Sequence, residues 1–148
     1  MKRNAIVVAF IIAVLSTAGV AESADNTTGT SYFEGVWSGA WDPGGAQYTG
    51  QDVTITIGNR NEKGAHKTTY AWGWGKSISG GSLAPGSIVV YGRERDGVFS
   101  FGWKDKEGLK RTVTMEKYKE DAVKAKIERE GPVAPGQQPY YNAILKRK

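Results

Sequence analysis

The sequence predicts an all-β domain: an eight-stranded antiparallel up-and-down meander barrel with no C-terminal helix. Eight short runs alternate apolar and polar residues with a period of two. Gly, Asn, Asp and Pro punctuate the runs at turn-like spacing. Two of the separators, Asp96-Gly97 and Lys106-Glu107-Gly108, are tight-hairpin signals that force neighbouring runs to pair antiparallel.

The chain of 148 residues opens with Lys2 and Arg3, an apolar run from Ala5 to Leu15, and then small residues, the order of a secretory signal peptide. Gly19 and Ala21 suit cleavage after Ala21, and the apolar run is shorter than the ~20 residues of a membrane span. Residues 1–21 are therefore expected to be a signal peptide, 22–32 a flexible polar leader and 33–148 a single barrel domain. The expected location is secreted or periplasmic, with no stable membrane span once the signal is removed. There is no cysteine, so stability must come from the core. The net charge of +5 is modest and the lysines of "KYKEDAVKAKIERE" alternate with acids, which argues against a nucleic-acid partner. Asn26-Thr27-Thr28 fits a glycosylation acceptor, relevant only in a eukaryotic secretory pathway.

The runs lie near residues 33–42, 51–58, 65–75, 87–95, 98–105, 109–116, 122–130 and 139–147. In the first, "FEGVWSGAW", Phe33, Trp37 and Trp41 are spaced by four with Gly35 and Gly39 between them on one face. Alternating large and small residues suits the tapering interior of a small barrel. The second and third runs, joined by "NRNEKG", pair Gly58 with Ala65 if all six residues are loop; Val53 then faces Tyr70 and Ile55 faces Thr68. Tyr70, Trp72 and Trp74 would share the face of Val53, Ile55 and Ile57.

Asp96-Gly97 sets Arg95 opposite Val98, hence Val90 opposite Trp103 and Gly92 opposite Phe101. The loop Lys106-Glu107-Gly108, with glycine in the left-handed position, sets Asp105 opposite Leu109, which brings Val113 to Phe101, Met115 to Phe99 and Arg111 to Trp103. The seventh run could be helical on propensity, but Val123, Ala125 and Ile127 alternate with Lys124, Lys126 and Glu128, which favours a strand. One buried face then carries Phe33, Trp37, Trp41, Tyr70, Trp72, Trp74, Phe99, Phe101 and Trp103. The other carries Lys67, Thr69, Arg93, Ser100, Lys104, Thr112 and Lys124.

In a meander, alternate loops share an end. "DPGGAQYTG", "GKSISGGSLAPGS", "KEG" and "GPVAPGQQP" fall together, and three of the four are long and rich in Gly, Pro and Ser, so that end is the expected mouth. Strand direction brings Trp41, Trp72, Trp74, Trp103 and Tyr70 toward it, with Arg111 arriving beside Trp103 as one orienting polar group. These six residues are the candidate ligand-binding set. A plug of core aromatics, with Arg111 bent out to solvent, is the competing arrangement.

Gly35-Val36-Trp37 resembles the Gly-x-Trp signature of the lipocalins and the wider calycin group. The resemblance implies an eight-stranded calyx holding a small hydrophobic molecule, with Trp37 closing its base. Arg147 is similar in position to the basic residue that caps the signature Trp in that group. The C-terminal helix of most lipocalins is not expected, because "YYNAILKRK" reads as the eighth strand. The start also resembles small bacterial exported domains with a repeated Gly-x-Trp, here Gly35-Val36-Trp37 and Gly39-Ala40-Trp41. Avidin-type barrels share the start, but "GVWSGAWDPGGAQ" does not match the Asn and Ser that their sites place after the first Trp.

No zinc, P-loop or nucleophile-elbow spacing occurs, so no metal, cofactor or catalytic residue is assigned and the protein is not expected to be an enzyme. His66 sits at the foot of a hairpin near the closed end. Glu34 is expected to point outward, and Asp42 and Asp52 to serve the turns of the first loop. The expected function is an exported, monomeric, non-catalytic protein that binds a small apolar or aromatic ligand. The alternatives are a carbohydrate-binding module using rim tryptophans, and a protein-interaction or inhibitor domain with a solid core.

Overall fold

The computed structural model describes residues 29–42, 51–76, 82–106, 108–132, 135 and 139–148. The expected signal peptide, the glycosylation tripeptide and most of the long mouth loops lie outside them. Ten strands follow in order: β1 (Gly35–Trp41), β2 (Gln51–Arg60), β3 (His66–Trp72), β4 (Gly75–Lys76), β5 (Ser82–Leu83), β6 (Gly86–Arg95), β7 (Val98–Lys104), β8 (Lys110–Lys119), β9 (Ala122–Arg129) and β10 (Tyr140–Arg147). Eight close a barrel in the order β1-β10-β9-β8-β7-β6-β3-β2, while β4 and β5 form a separate two-stranded hairpin between β3 and β6. Every pairing is antiparallel and follows chain order, apart from the β1–β10 seam that closes the cylinder. The seventh run is a strand from Ala122 to Arg129 and is zipped to both neighbours, β8 and β10.

Turn chemistry sets the register where the loops are short. Asp96 and Gly97 adopt φ of 52° and 75°, and Arg95 pairs with Val98. Gly108 has φ 78°, and the next hairpin pairs Phe99 with Met115, Phe101 with Val113 and Trp103 with Arg111. The expected pairs Val90–Trp103 and Gly92–Phe101 lie beyond the β6–β7 ladder, which spans Arg93–Arg95 and Val98–Ser100. Phe99 instead lays its ring across Gly92, where a Cβ would overlap Cζ.

The β2–β3 hairpin differs from expectation by two residues: Val53 pairs with Trp72, Ile55 with Tyr70 and Ile57 with Thr68. β2 runs on to Arg60 through a bulge, and the loop shortens because Asn61 closes it. Asn61 N–H donates to the Ala65 carbonyl at 2.8 Å, and its Oδ1 accepts from Lys63 N at 3.0 Å and Ala65 N at 2.9 Å. A shift of two preserves the faces, so the expected core survives the changed register.

The interior is packed. Trp37, Ile55, Phe99, Val113, Met115, Val123 and Leu145 are among its fully buried side chains. Phe33 joins them from a turn rather than from a strand, with Glu34 N–H donating to Ser31 O at 3.1 Å just before β1 begins. That turn also overrides strand parity at Glu34, which is not outward: its side chain is 13% exposed and lies 3.7 Å from His66 Nδ1.

At the closed end the Trp37 indole N–H donates to the Phe33 carbonyl at 2.7 Å. Arg147, paired with Trp37 across the β1–β10 seam, spreads its guanidinium 4.3 Å from the Trp37 ring centroid and donates to the Tyr32 and Glu34 carbonyls, each at 2.6 Å. Gly35 makes this possible: its φ is 120°, and a Cβ would stand 2.9 Å from the Arg147 guanidinium. Gly39 lets β10 approach, since a Cβ would lie 2.7 Å from the Ile144 carbonyl. The glycines between the aromatics of "FEGVWSGAW" thus make room for the closing strand and its arginine.

Candidate functional site: the aromatic mouth

The opposite end is built from the tops of β1, β3, β7, β8 and β9. Tyr70 is its hub. The Trp41 indole N–H donates to the Tyr70 hydroxyl at 2.9 Å, and the Tyr70 ring lies 5.7 Å from Trp72, 6.0 Å from Phe101 and 5.1 Å from Trp103. Phe101 and Trp103 stack with an interplanar angle of 18°. Trp41 and Tyr70 are nearly sealed, at 5% and 4% exposed, so they form a floor. Trp72 and Trp103 pack against that floor and are half-buried, which leaves ring surface open to an incoming molecule.

Burial pushes the Tyr70 hydroxyl up to about 12, against smaller opposing effects from the Trp41 hydrogen bond and the Arg111 charge. The hydroxyl therefore keeps its proton at any physiological pH. Trp72 is anchored by its indole N–H to the Ala84 carbonyl at 3.0 Å, beyond the β4–β5 hairpin, and lies against Gly86, where a Cβ would come within 2.5 Å of the indole. Glycine at this position keeps the ring flat along β6.

Arg111 arrives as expected beside Trp103, its cross-strand partner, and its Nε donates to Asp105 Oδ2 at 3.1 Å. Asp105 is fixed by its own hairpin, with Oδ1 accepting from Leu109 N at 3.0 Å. Of the six expected site residues, five come together: Trp41, Tyr70, Trp72, Trp103 and Arg111. Trp74 does not share the inner face. It is 68% exposed: β3 ends at Trp72, Gly73 keeps one last N–H bond to the Asp52 carbonyl of β2 at 2.9 Å, and beyond it strand parity lapses.

Beside Trp72, a shallow groove of about 270 Å³ is lined by Asp52, Val53, Thr54, Ala71, Trp72 and Gly73. Asp52 thus helps to shape the lip, and Asp42 continues β1 by a bridge to Asn142. His66 lies far below, 1% exposed, edge-on to Phe99 at 5.5 Å and with Nδ1 2.9 Å from the Gly58 carbonyl, which suits a packing role.

Two inward residues escaped the sequence reading. Arg129 pairs directly with Arg111 across β8–β9, and Tyr141 pairs with Ile127 across β9–β10. The signal for Arg129 was available: it continues the Val123, Ala125, Ile127 parity by one more step.

Among the described residues no group of three or more His, Asp or Glu could hold a metal ion, and no helix is long and apolar enough to cross a membrane. The fold and this site together define a small closed antiparallel meander barrel whose aromatic interior is fully buried toward one end and includes half-buried tryptophans at the other. Comparison with family models, curated proteins and solved structures finds no match to the chain.

Proposed function

We propose that the chain is an exported, non-catalytic, lipocalin-like binding protein that holds a small apolar or aromatic molecule at the mouth of its barrel. The single observation that carries this reading is the gathering of Trp72 and Trp103, half-buried, over a sealed floor of Trp41 and Tyr70, with Arg111 at the edge. Aromatic surface beside a fixed polar group is what orients a small ligand, and the packed core below confines the site to the mouth. The Gly-x-Trp start and the Arg147 cap on Trp37 support the lipocalin-like part. Titration of Trp fluorescence with a fatty alcohol should give saturable quenching. Replacing Trp72 and Trp103 together by Ala should abolish it while leaving the far-ultraviolet spectrum intact; undiminished quenching in the double variant would remove the mouth as the site.

A second reading, sugar binding at the lip, is favoured by one observation: Trp74 stands 68% exposed next to Gly73, which lines the Asp52–Trp72 groove. An exposed indole face can stack on a sugar ring, and a neighbouring carboxylate can accept its hydroxyl protons. Quenching by oligosaccharides that disappears in Trp74→Ala and survives in Trp103→Ala would select this reading over the first.

A further inference from the structure

We propose that the mouth is open on its side as well as at its top, through a slit between β6 and β7, and that the ligand enters and leaves by that slit. The inference rests on the mouth-binding reading above and adds the route into the same site.

The sheet pattern is the first ground. β6 and β7 pair at Arg95–Val98, Glu94–Phe99 and Arg93–Ser100, next to the Asp96-Gly97 turn, and the ladder stops there. Hydrogen-bonded pairs recur at every second position of an antiparallel hairpin, so Arg95–Val98 and Arg93–Ser100 would be followed by Tyr91–Gly102 and Val89–Lys104. Neither belongs to the ladder, although β6 stays zipped to β3 from Gly86 to Gly92 and β7 to β8 from Phe101 to Lys104. Two strands that are each continuous with their other neighbour therefore lose each other toward the mouth. Among the described residues this junction alone is not tied at that end. Trp41–Gln51, Trp72–Gly86 and Lys104–Lys110 hold others there, and Asp42 N–H donates to the Asn142 carbonyl at 2.7 Å across the β1–β10 seam. Backbone groups without a ladder partner need water, and a slit open to solvent supplies it.

Burial is the second, independent ground. On β6 the inward Val90 and Ile88 face Thr68 and Tyr70 of β3 in register, so each pair shares a height in the barrel. Thr68 is fully buried and Tyr70 is 4% exposed, whereas Val90 and Ile88 are only half-buried. An opening at the top alone would grade exposure by height. Here exposure differs between strands at one height, so solvent reaches the interior from the β7 side. The outer lip of β6 is apolar, with Val89 58% and Tyr91 64% exposed, a first contact for an apolar molecule. The lip of β7 is bare at Gly102, where a Cβ would stand 2.8 Å from the Arg111 carbonyl. Beyond it on β7 is the half-buried Trp103, so the slit leads to the ring surface that the mouth offers.

Stopped-flow Trp quenching by decanol tests this on the full chain carrying Val89→Cys and Lys104→Cys, two exposed positions that would face each other across the slit. The chain has no cysteine of its own, so ethanediyl bis-methanethiosulfonate bridges only that pair, over a wider gap than a disulfide spans, and a reductant releases it. An obstructed route raises the barrier in both directions and leaves the end states alone. Bridging should slow association and dissociation together by about tenfold or more, keep the final extent of quenching within about twofold, and be undone by reductant. The same bridge across Ser100→Cys and Thr114→Cys, within the intact β7–β8 ladder, should leave both rates as in the wild type. Unchanged rates in the bridged slit overturn the side route and leave mouth binding standing. Absence of quenching in the unbridged protein overturns both.

Discussion

Each end of the barrel pairs an indole with a guanidinium, and the two pairs do opposite things. At the closed end Arg147 lies over Trp37 and finds its acceptors in the chain's own carbonyls, those of Tyr32 and Glu34. At the mouth Arg111 stands beside Trp103, takes one carboxylate from Asp105, and faces a second arginine. The backbone holds the guanidinium at the closed end, whereas a side-chain carboxylate, that of Asp105, holds Arg111 at the mouth. The turn at residues 31–34 folds back under the barrel and brings two carbonyls to Arg147.

The contrast can be broken most forcefully at Trp37. Trp37→Ala empties a fully buried site and should lower stability by about 3–5 kcal/mol in urea unfolding, whereas Trp103→Ala, half-exposed, should cost well under half as much and act on binding instead. Comparable losses at the two positions would mean that the mouth is core.

Alkaline pH attacks the mouth selectively. The Tyr70 value in the folded state, about 12, exceeds its ordinary 10.0, so folding favours the neutral phenol. That contribution is fully present below pH 10 and is lost as pH rises through about 12, a swing of roughly 2–3 kcal/mol by linkage. The denaturation midpoint should fall more steeply over this window in the wild type than in Tyr70→Phe.

Two glycines sharpen the comparison. Gly92→Ala pushes a methyl into Phe99, which is sealed and cannot move aside, and should cost about 1–3 kcal/mol. Gly86→Ala meets the indole of Trp72 at 2.5 Å, but that ring is half-exposed and can swing outward, so the expected cost is below about 1 kcal/mol, with weakened ligand binding as the main effect. Thermal midpoints of the two variants, read with Trp quenching, separate the cases. Arg147→Gln should cost about 1–2 kcal/mol and blue-shift no mouth tryptophan, since its own partners are Trp37, Tyr32 and two carbonyls open to water once released.

The barrel was legible in the sequence because period-two alternation and two tight turns constrain each other. At Asp96-Gly97 and Gly108 the backbone needs positive φ, few residues supply it, and the register follows. The Asn61 loop was misread by two because its geometry is set by a side-chain oxygen accepting two backbone N–H groups, which loop length alone does not reveal. Trp74 was misplaced for a related reason: parity holds only while a strand stays in its sheet, and Trp74 lies beyond the end of β3. Arg129 was overlooked because a charged residue at the end of a strand is usually read as solvated. Here its partner Arg111 already faces inward, and cross-strand pairing obliges Arg129 to share that face.

The β1–β10 seam sets a timetable for the nascent chain. Every other ladder joins strands that are adjacent in the meander, so seven strands can zip up in the order they are made, but the first must wait for residues 140–147 before its second edge is covered. Until then an open sheet exposes its tryptophans and two bare edges, and folding completes only when Arg147 reaches across to Tyr32 and Glu34. A sheet that cannot lock before its closing strand arrives keeps both edges available until that strand is made.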